Sequence, residues 1–229
     1  MIEMKNSYGN LLQKAILMLL PLAVLAAAGC STSASAQVPA YAGPANVSAT
    51  QGKETAVLAG GCFWGVDAVF KHVKGVEKVV SGYSGGDAST AEYETVSTGS
   101  TGHAESVKIT YDPSQVGFSE LLRIFFSVAT DPTQLNRQGP DEGSQYRSVI
   151  FYTSDEQKQI AQAYIQQLGK AGVFKHPIVT QVVPFKAFYP AEAYHQNFLE
   201  RHPNYPYIVF NDLPKLRSLK KEFPDFYRK

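Results

Sequence analysis

The chain has 229 residues, enough for one sizeable domain with its own core or two small ones. Apolar residues make up 44% and charged residues 18%, a globular composition that excludes a disordered chain. The net charge of +1 offers no basic surface, so no nucleic-acid partner is expected.

At the N-terminus, Lys5 and Lys14 precede the apolar run AILMLLPLAVLAAAG, residues 15–29. This run is too short for a comfortable membrane span and reads as a secretory signal over residues 1–29. Its ending, AAGC at Ala27–Cys30, fits a bacterial lipobox, in which Cys30 is lipidated and becomes the new N-terminus. Ala34-Ser35-Ala36 equally fits the cleavage site of simple secretion. The expected location is the periplasmic face of a bacterial membrane, as a lipoprotein held through its N-terminal lipid only, or soluble in the periplasm. Both routes consume or remove Cys30. They leave Cys62 as the one thiol of the mature chain, which excludes an internal disulfide.

Residues 30–53 are rich in Ala, Ser, Pro, Gly and Thr and read as a flexible tether with a reach of roughly 25 Å. Beyond it, residues 54–229 alternate strand and helix. TAVLAGG (55–61) predicts a strand, and FWGVDAVFKHV (63–73) predicts a helix with Phe63, Val66, Val69 and Phe70 on one face. Strands are expected at GVEKVVSGY (75–83) and ESVKITYD (105–112), and a helix N-capped by Ser119 over 119–129. YRSVIFYT (146–153) predicts a strand, followed by a long helix with acidic residues in its first turn and a glycine near its end. A strand at 178–185, a helix over AEAYHQNFLERH (191–202) and a terminal helix over DLPKLRSLKKEF (212–223) complete the pattern. Strands separated by helices predict a two-layer α/β sandwich, whose strand directions the pattern leaves open.

AGGCFWGVD, Ala59–Asp67, sets the lone thiol where a strand hands over to a helix. Gly60 and Gly61 permit a tight turn, expected to be exposed, and the helix N-terminus favours a thiolate. That effect is about 0.3–2 kcal/mol, enough to move a thiol by roughly one pKa unit and no more. Strong reactivity would need a further partner or a bound substrate. Phe63 and Trp64, ordinary core residues elsewhere, would beside a nucleophile form an apolar wall suited to a methyl or thioether group. GSTGHAES (99–106) brings His103 and Glu105 to the start of a strand, on one face. Glu105 in water is a plain carboxylate; in an apolar pocket it becomes a general acid. GPDEGSQYRS (139–148) is a turn-rich loop carrying Asp141 and Tyr146, and His195 suits a helix surface.

The motifs GCFWG (61–65), TGHAESVKITYDP (101–113), DEGSQYRS (141–148) and AEAYHQNFL (191–199), in this order, resemble those of type A peptide methionine sulfoxide reductases. The resemblance implies an α+β, ferredoxin-like α/β plait, a two-layer sandwich with an extended C-terminal segment. It implies Cys62 as the nucleophile towards the S epimer of methionine sulfoxide, free or in proteins, and Glu105 as the acid that protonates the departing oxygen. Phe63 and Trp64 would hold the methyl group, and Tyr93, Asp141 and Tyr146 would orient the oxygen and a water. The product on Cys62 is a sulfenic acid. No metal and no organic cofactor are expected, and the enzyme is expected to be a monomer that repairs oxidised exported proteins.

Two departures stand out. Many relatives resolve the sulfenic acid with further cysteines near the C-terminus, and the tail here has none. Regeneration then needs an external thiol: a thioredoxin, a glutaredoxin or a small thiol. Asp67 stands where glutamate is commoner. Two other readings compete: a Cys–His hydrolase, which requires a histidine paired with Cys62, and a non-catalytic lipoprotein that binds a partner through its aromatics.

Overall fold

The computed structural model describes residues 37–44 and 52–229; the segment read as a signal and Cys30 lie outside the described residues. In chain order the elements are β1 (Glu54–Gly60), α1 (Phe63–Lys71), β2 (Val76–Ser84), α2 (Tyr93–Val96), β3 (Ala104–Tyr111) and α3 (Phe118–Ile124). There follow β4 (Arg137–Gln138), β5 (Asp141–Glu142), β6 (Ser148–Tyr152), α4 (Asp155–Ala171), β7 (Gln181–Pro184), β8 (Tyr189–Pro190), α5 (Phe198–Arg201) and α6 (Leu213–Glu222).

The main sheet runs β7-β6-β1-β3-β2-β8, and its middle four strands have the order of a ferredoxin-like plait. Every pairing is antiparallel except β6 with β7. The sheet is therefore mixed, which strand patterns alone left open. β1 is central and buried on both faces, so its side chains divide by alternation. Ala56 and Leu58 join the large core beneath α1, α3 and α4, with Val107, Ile109 and Ile150. Val57 and Ala59 point the other way, to a smaller cluster with Ala104, Val149 and Phe151 that Phe185 and Phe188 cover.

Three local expectations are corrected. The helix expected at 119–129 is capped by Gly117, two residues before Ser119, and ends at Ile124 in a π turn closed by Thr130 N–H to Phe125 O (3.0 Å). The helix expected at 191–202 is broken into a short turn at Ala193–His195 and α5, with Asn197 between them in the left-handed region at φ 55°. Gln196 explains the break. Its side chain accepts from Ser81 N–H (3.0 Å) and donates to Ser81 O and Ala191 O (2.9 Å each), splicing this stretch onto the β2 edge. Such bonds compete with the helical ladder.

The third correction concerns residues 37–44, inside the stretch read as a flexible tether. Their carbonyls are taken up one after another by α3 and α4: Arg123 Nε donates to Val38 O (3.1 Å), Tyr164 Oη to Pro39 O (2.6 Å) and Gln167 Nε2 to Ala40 O (2.7 Å). Gln167 Oε1 also accepts from Ala42 N–H (2.8 Å), Val38 is buried, and Tyr41 packs edge-on to Tyr164. Polar side chains on the helices do the holding, which the composition of the segment does not reveal. Starting the chain at residue 45 instead of 37 is expected to lower Tm by about 2–4 °C, read by calorimetry. An unchanged Tm would show that the docked segment adds no stability.

Candidate active site

The β1–α1 turn places the sulfur. Gly61 has φ +94° and lies against Gln138, where a Cβ would come within 2.5 Å of the Gln138 side chain. Cys62 then caps α1. The expected exposed turn is corrected here: Cys62 is only 8% exposed. Burial pushes its thiol well above the ordinary range, helped by the negative charges of Glu105, Asp212 and Asp141, and a hydrogen bond from Trp64 N–H opposes them without prevailing. The helix terminus is present, but desolvation wins.

β3 lies beside β1 and delivers Glu105 to the same helix N-terminus. Glu105 Oε2 accepts the Phe63 N–H at 2.9 Å, and its side chain is buried. Desolvation raises its carboxyl to about 8, over the opposing effect of that hydrogen bond. At neutral pH Glu105 therefore holds its proton and can give it away.

Around these two groups closes a cavity of about 210 Å³, lined by Cys62, Phe63, Trp64, Tyr93, Glu105 and Asp141 together with Tyr146, Tyr205 and Tyr207. It gathers the seven residues to which the resemblance assigned a role; His103 is not among them. Trp64 stacks on Phe198 (3.7 Å between centroids, 5° between planes) and meets Tyr205 and Tyr207 edge-on. Tyr93 opens α2, its N–H bound to Glu192 Oε1 (2.9 Å), while Glu192 Oε2 accepts from Tyr83 Oη (2.9 Å). Tyr146 is fixed by its neighbours: Ser144 Oγ donates to Gly99 O (2.6 Å) and Gln145 Nε2 to Ser97 O (3.0 Å). Burial, reinforced by Glu105, keeps the Tyr93 and Tyr146 hydroxyls protonated. Asp141 sits in the β4–β5 hairpin and accepts a hydrogen bond from Tyr207 Oη.

Sequence reasoning missed Tyr205, Tyr207 and Asp212. The YPY run at 205–207 was the one visible signal for the two tyrosines, and Asp212 had none. Asp212 ends a π turn, is fully buried, and has its carboxyl raised by burial to about 6 against the opposing charge of Lys215, 3.4 Å away. It crowds Gly65, where a Cβ would fall 2.1 Å from Oδ1, so the second glycine of the GCFWG motif is required for room.

No histidine lines the cavity. His103 spends its imidazole on Gly86 N–H and Asp87 O (3.2 and 3.0 Å). His195, expected on a helix surface, is buried, and its Nδ1 accepts the Trp64 indole N–H (3.1 Å). A Cys–His hydrolase lacks its base here. A neutral acid, hydroxyl donors and a shielded sulfur against an apolar wall instead suit transfer of an oxygen that must be protonated to leave.

A family model for Peptide methionine sulfoxide reductase matches residues 54–226. The chain belongs to that family. It is 64% identical over 179 residues to Peptide methionine sulfoxide reductase MsrA 2 of Mesorhizobium japonicum, covering 78% of this chain and 92% of that one. It is 58% identical over 175 residues to the protein of the same name from Synechocystis sp., covering 76% and 82%. Among solved structures, it resembles Mxr1 from Saccharomyces cerevisiae in reduced form (TM-score 0.59, 33% identity, 67% of this chain and 87% of that one). It also resembles methionine sulfoxide reductase A of Corynebacterium diphtheriae (TM-score 0.57, 34% identity, 68% and 77%).

Glu105 makes stability depend on pH. Its carboxyl is raised from the ordinary 4.5 to about 8 in the folded chain, so the folded state holds the extra proton between these values and loses stability as pH rises through them. Glu105→Gln removes this dependence. Urea unfolding should find the variant more stable than wild type by roughly 1–3 kcal/mol near pH 8 and equal near pH 4. A difference that does not change with pH would contradict the buried neutral acid.

Proposed function

We propose that this chain reduces methionine-S-sulfoxide, free or in exported proteins, to methionine, with the oxygen passing to Cys62. What carries this reading is a protonated carboxylic acid and the chain's one mature thiol sharing a cavity of about 210 Å³ walled by Phe63 and Trp64. The methyl group rests on the two aromatic rings and the oxygen points to Glu105 and the hydroxyls of Tyr93 and Tyr146. Asp141, held by Tyr207, orients a water beside them.

The high resting pKa of Cys62 fits this scheme. A sulfoxide polarised by Glu105 brings developing positive charge next to the thiol, which favours ionisation at that moment. As the Cys62 sulfur attacks the sulfoxide sulfur, Glu105 protonates the oxygen. An S–S bond forms as the oxygen takes up the cysteine proton too and leaves as water. That water then attacks the Cys62 sulfur, which breaks the S–S bond with its electron pair left on the methionine sulfur and returns a proton to Glu105. The substrate sulfur gains two electrons and Cys62 loses two, giving methionine and a sulfenic acid. One external thiol displaces water from the sulfenic acid as a mixed disulfide, and a second releases Cys62. A thioredoxin, a glutaredoxin or a small thiol meets this need.

The export signal and the lipid on Cys30 belong to this proposal and rest on residues 1–36. Mass spectrometry of the exported N-terminus tests them: a diacylglyceryl-modified Cys30 supports the lipoprotein, and a start near Gln37 supports simple secretion.

Cys62→Ser is expected to abolish reduction of a sulfoxide peptide, and Glu105→Gln to slow it by roughly 10²–10⁴-fold. In wild type, kcat/KM should fall as pH rises through about 8, where Glu105 loses its proton, and this limb should be absent from the glutamine variant. Full activity in Cys62→Ser would end the proposal. Without reductant, one methionine per enzyme and a dimedone-reactive sulfur are expected; an intramolecular disulfide would contradict the single-thiol scheme.

A further inference from the structure

Trp64 forms one wall of the cavity, and its ring contacts with Phe198, Tyr205 and Tyr207 hold the plane of the indole. It is only partly buried, and its one parallel contact is the stack on Phe198. Stacking holds a ring in its plane but resists rotation within that plane weakly, because dispersion is not directional. A hydrogen bond is directional. The indole N–H makes one, to His195 Nδ1 at 3.1 Å.

The chemistry of that bond decides the state of the histidine. An indole N–H can only donate, so Nδ1 must be the unprotonated nitrogen and the ring proton must sit on Nε2. Nε2 is buried and without a hydrogen-bond partner. A histidine that handled protons would need a path for them, and this one has none. Aromatic rings surround it: Phe63 at 5.1 Å and Tyr93 at 4.4 Å from the site's lining, and the exposed Tyr194 at 4.3 Å, between ring centroids. Burial lowers the imidazole pKa, and Glu192 opposes this without overcoming it. The break in the 191–202 stretch turns His195 inward, since Gln196 is bound to Ser81 and Asn197 takes the left-handed conformation.

We propose that His195 is a positioning residue for substrate binding, whose unprotonated Nδ1 fixes the Trp64 indole in the orientation that closes the cavity. This rests on the reductase reading, and its tests separate the two. Trp64 is the chain's single tryptophan, so the protein has one indole N–H resonance to follow. In wild type, nitrogen-15 spectra of His195 should show the Nε2–H tautomer at neutral pH, and the indole N–H should be protected from exchange. A protonated Nδ1, or an indole N–H exchanging as in a free peptide, would overturn the proposal without any variant.

His195→Leu removes the acceptor. It should speed indole exchange at least about tenfold and raise KM for a sulfoxide peptide roughly tenfold, with kcat falling less than about threefold. His195→Asn keeps an acceptor oxygen near the Nδ1 position. It should restore indole protection and bring KM to within about threefold of wild type. An unchanged KM in a folded leucine variant, or an asparagine variant that loses as much as the leucine one, would overturn the proposal. Should the leucine variant fail to fold, the wild-type tautomer and the asparagine variant decide. Wild type that reduces no sulfoxide would instead sink the reductase reading, whatever the spectra show.

Discussion

One short contact organises this molecule: the Phe63 N–H bound to the Glu105 carboxyl at 2.9 Å, with both residues almost fully buried. A carboxyl at a helix N-terminus normally ionises, favoured by roughly 0.3–2 kcal/mol. Here desolvation outweighs that preference and leaves a carboxylic acid that keeps its proton up to about pH 8. The same burial silences Cys62 until something polar enters. A neutral acid and a resting thiol are thus two results of one cause, the exclusion of water from the junction of β1, β3 and α1.

The frame makes this affordable. β1 is buried on both faces and clamped by β3 and β6, so the turn that follows it cannot drift. β3 is its direct neighbour, which fixes the distance between acid and helix terminus through the sheet register. The tyrosines and Asp141 come from less regular stretches, and each is tied back by its own hydrogen bonds: Glu192 to the start of α2, Ser144 and Gln145 to the 97–99 turn, Tyr207 to Asp141. Loops supply the chemistry and the sheet supplies its precision.

Acidic groups surround the sulfur: Asp212 and Asp141 disfavour its negative charge, and Glu105 does so too once it has lost its own proton above about pH 8. For a permanently activated thiolate this would be a defect. For a thiol that should react only when a sulfoxide is bound, it is a safeguard, because thiolate character governs adventitious oxidation. Asp212 belongs to this charge field and also explains the space required at Gly65, linking the C-terminal π turn to the motif around Cys62.

Much of this was legible in the chain itself. Apolar runs marked β1, β2, β3 and β6, an acidic first turn and a glycine near its end marked α4, and two glycines before Cys62 marked the turn that carries it. Those features are local, so neighbouring residues suffice to specify them. Strand directions, the broken 191–202 stretch and the docked 37–44 segment were not, because pairings between residues distant in the chain decide them: between strands in the sheet, and across more than a hundred residues for Gln196 on Ser81 and Gln167 on Ala40. The state of the site belongs to the same class. Residue order named Cys62 and Glu105, but a pKa follows from how much water the whole fold removes, and that quantity exists only once the chain has closed around them.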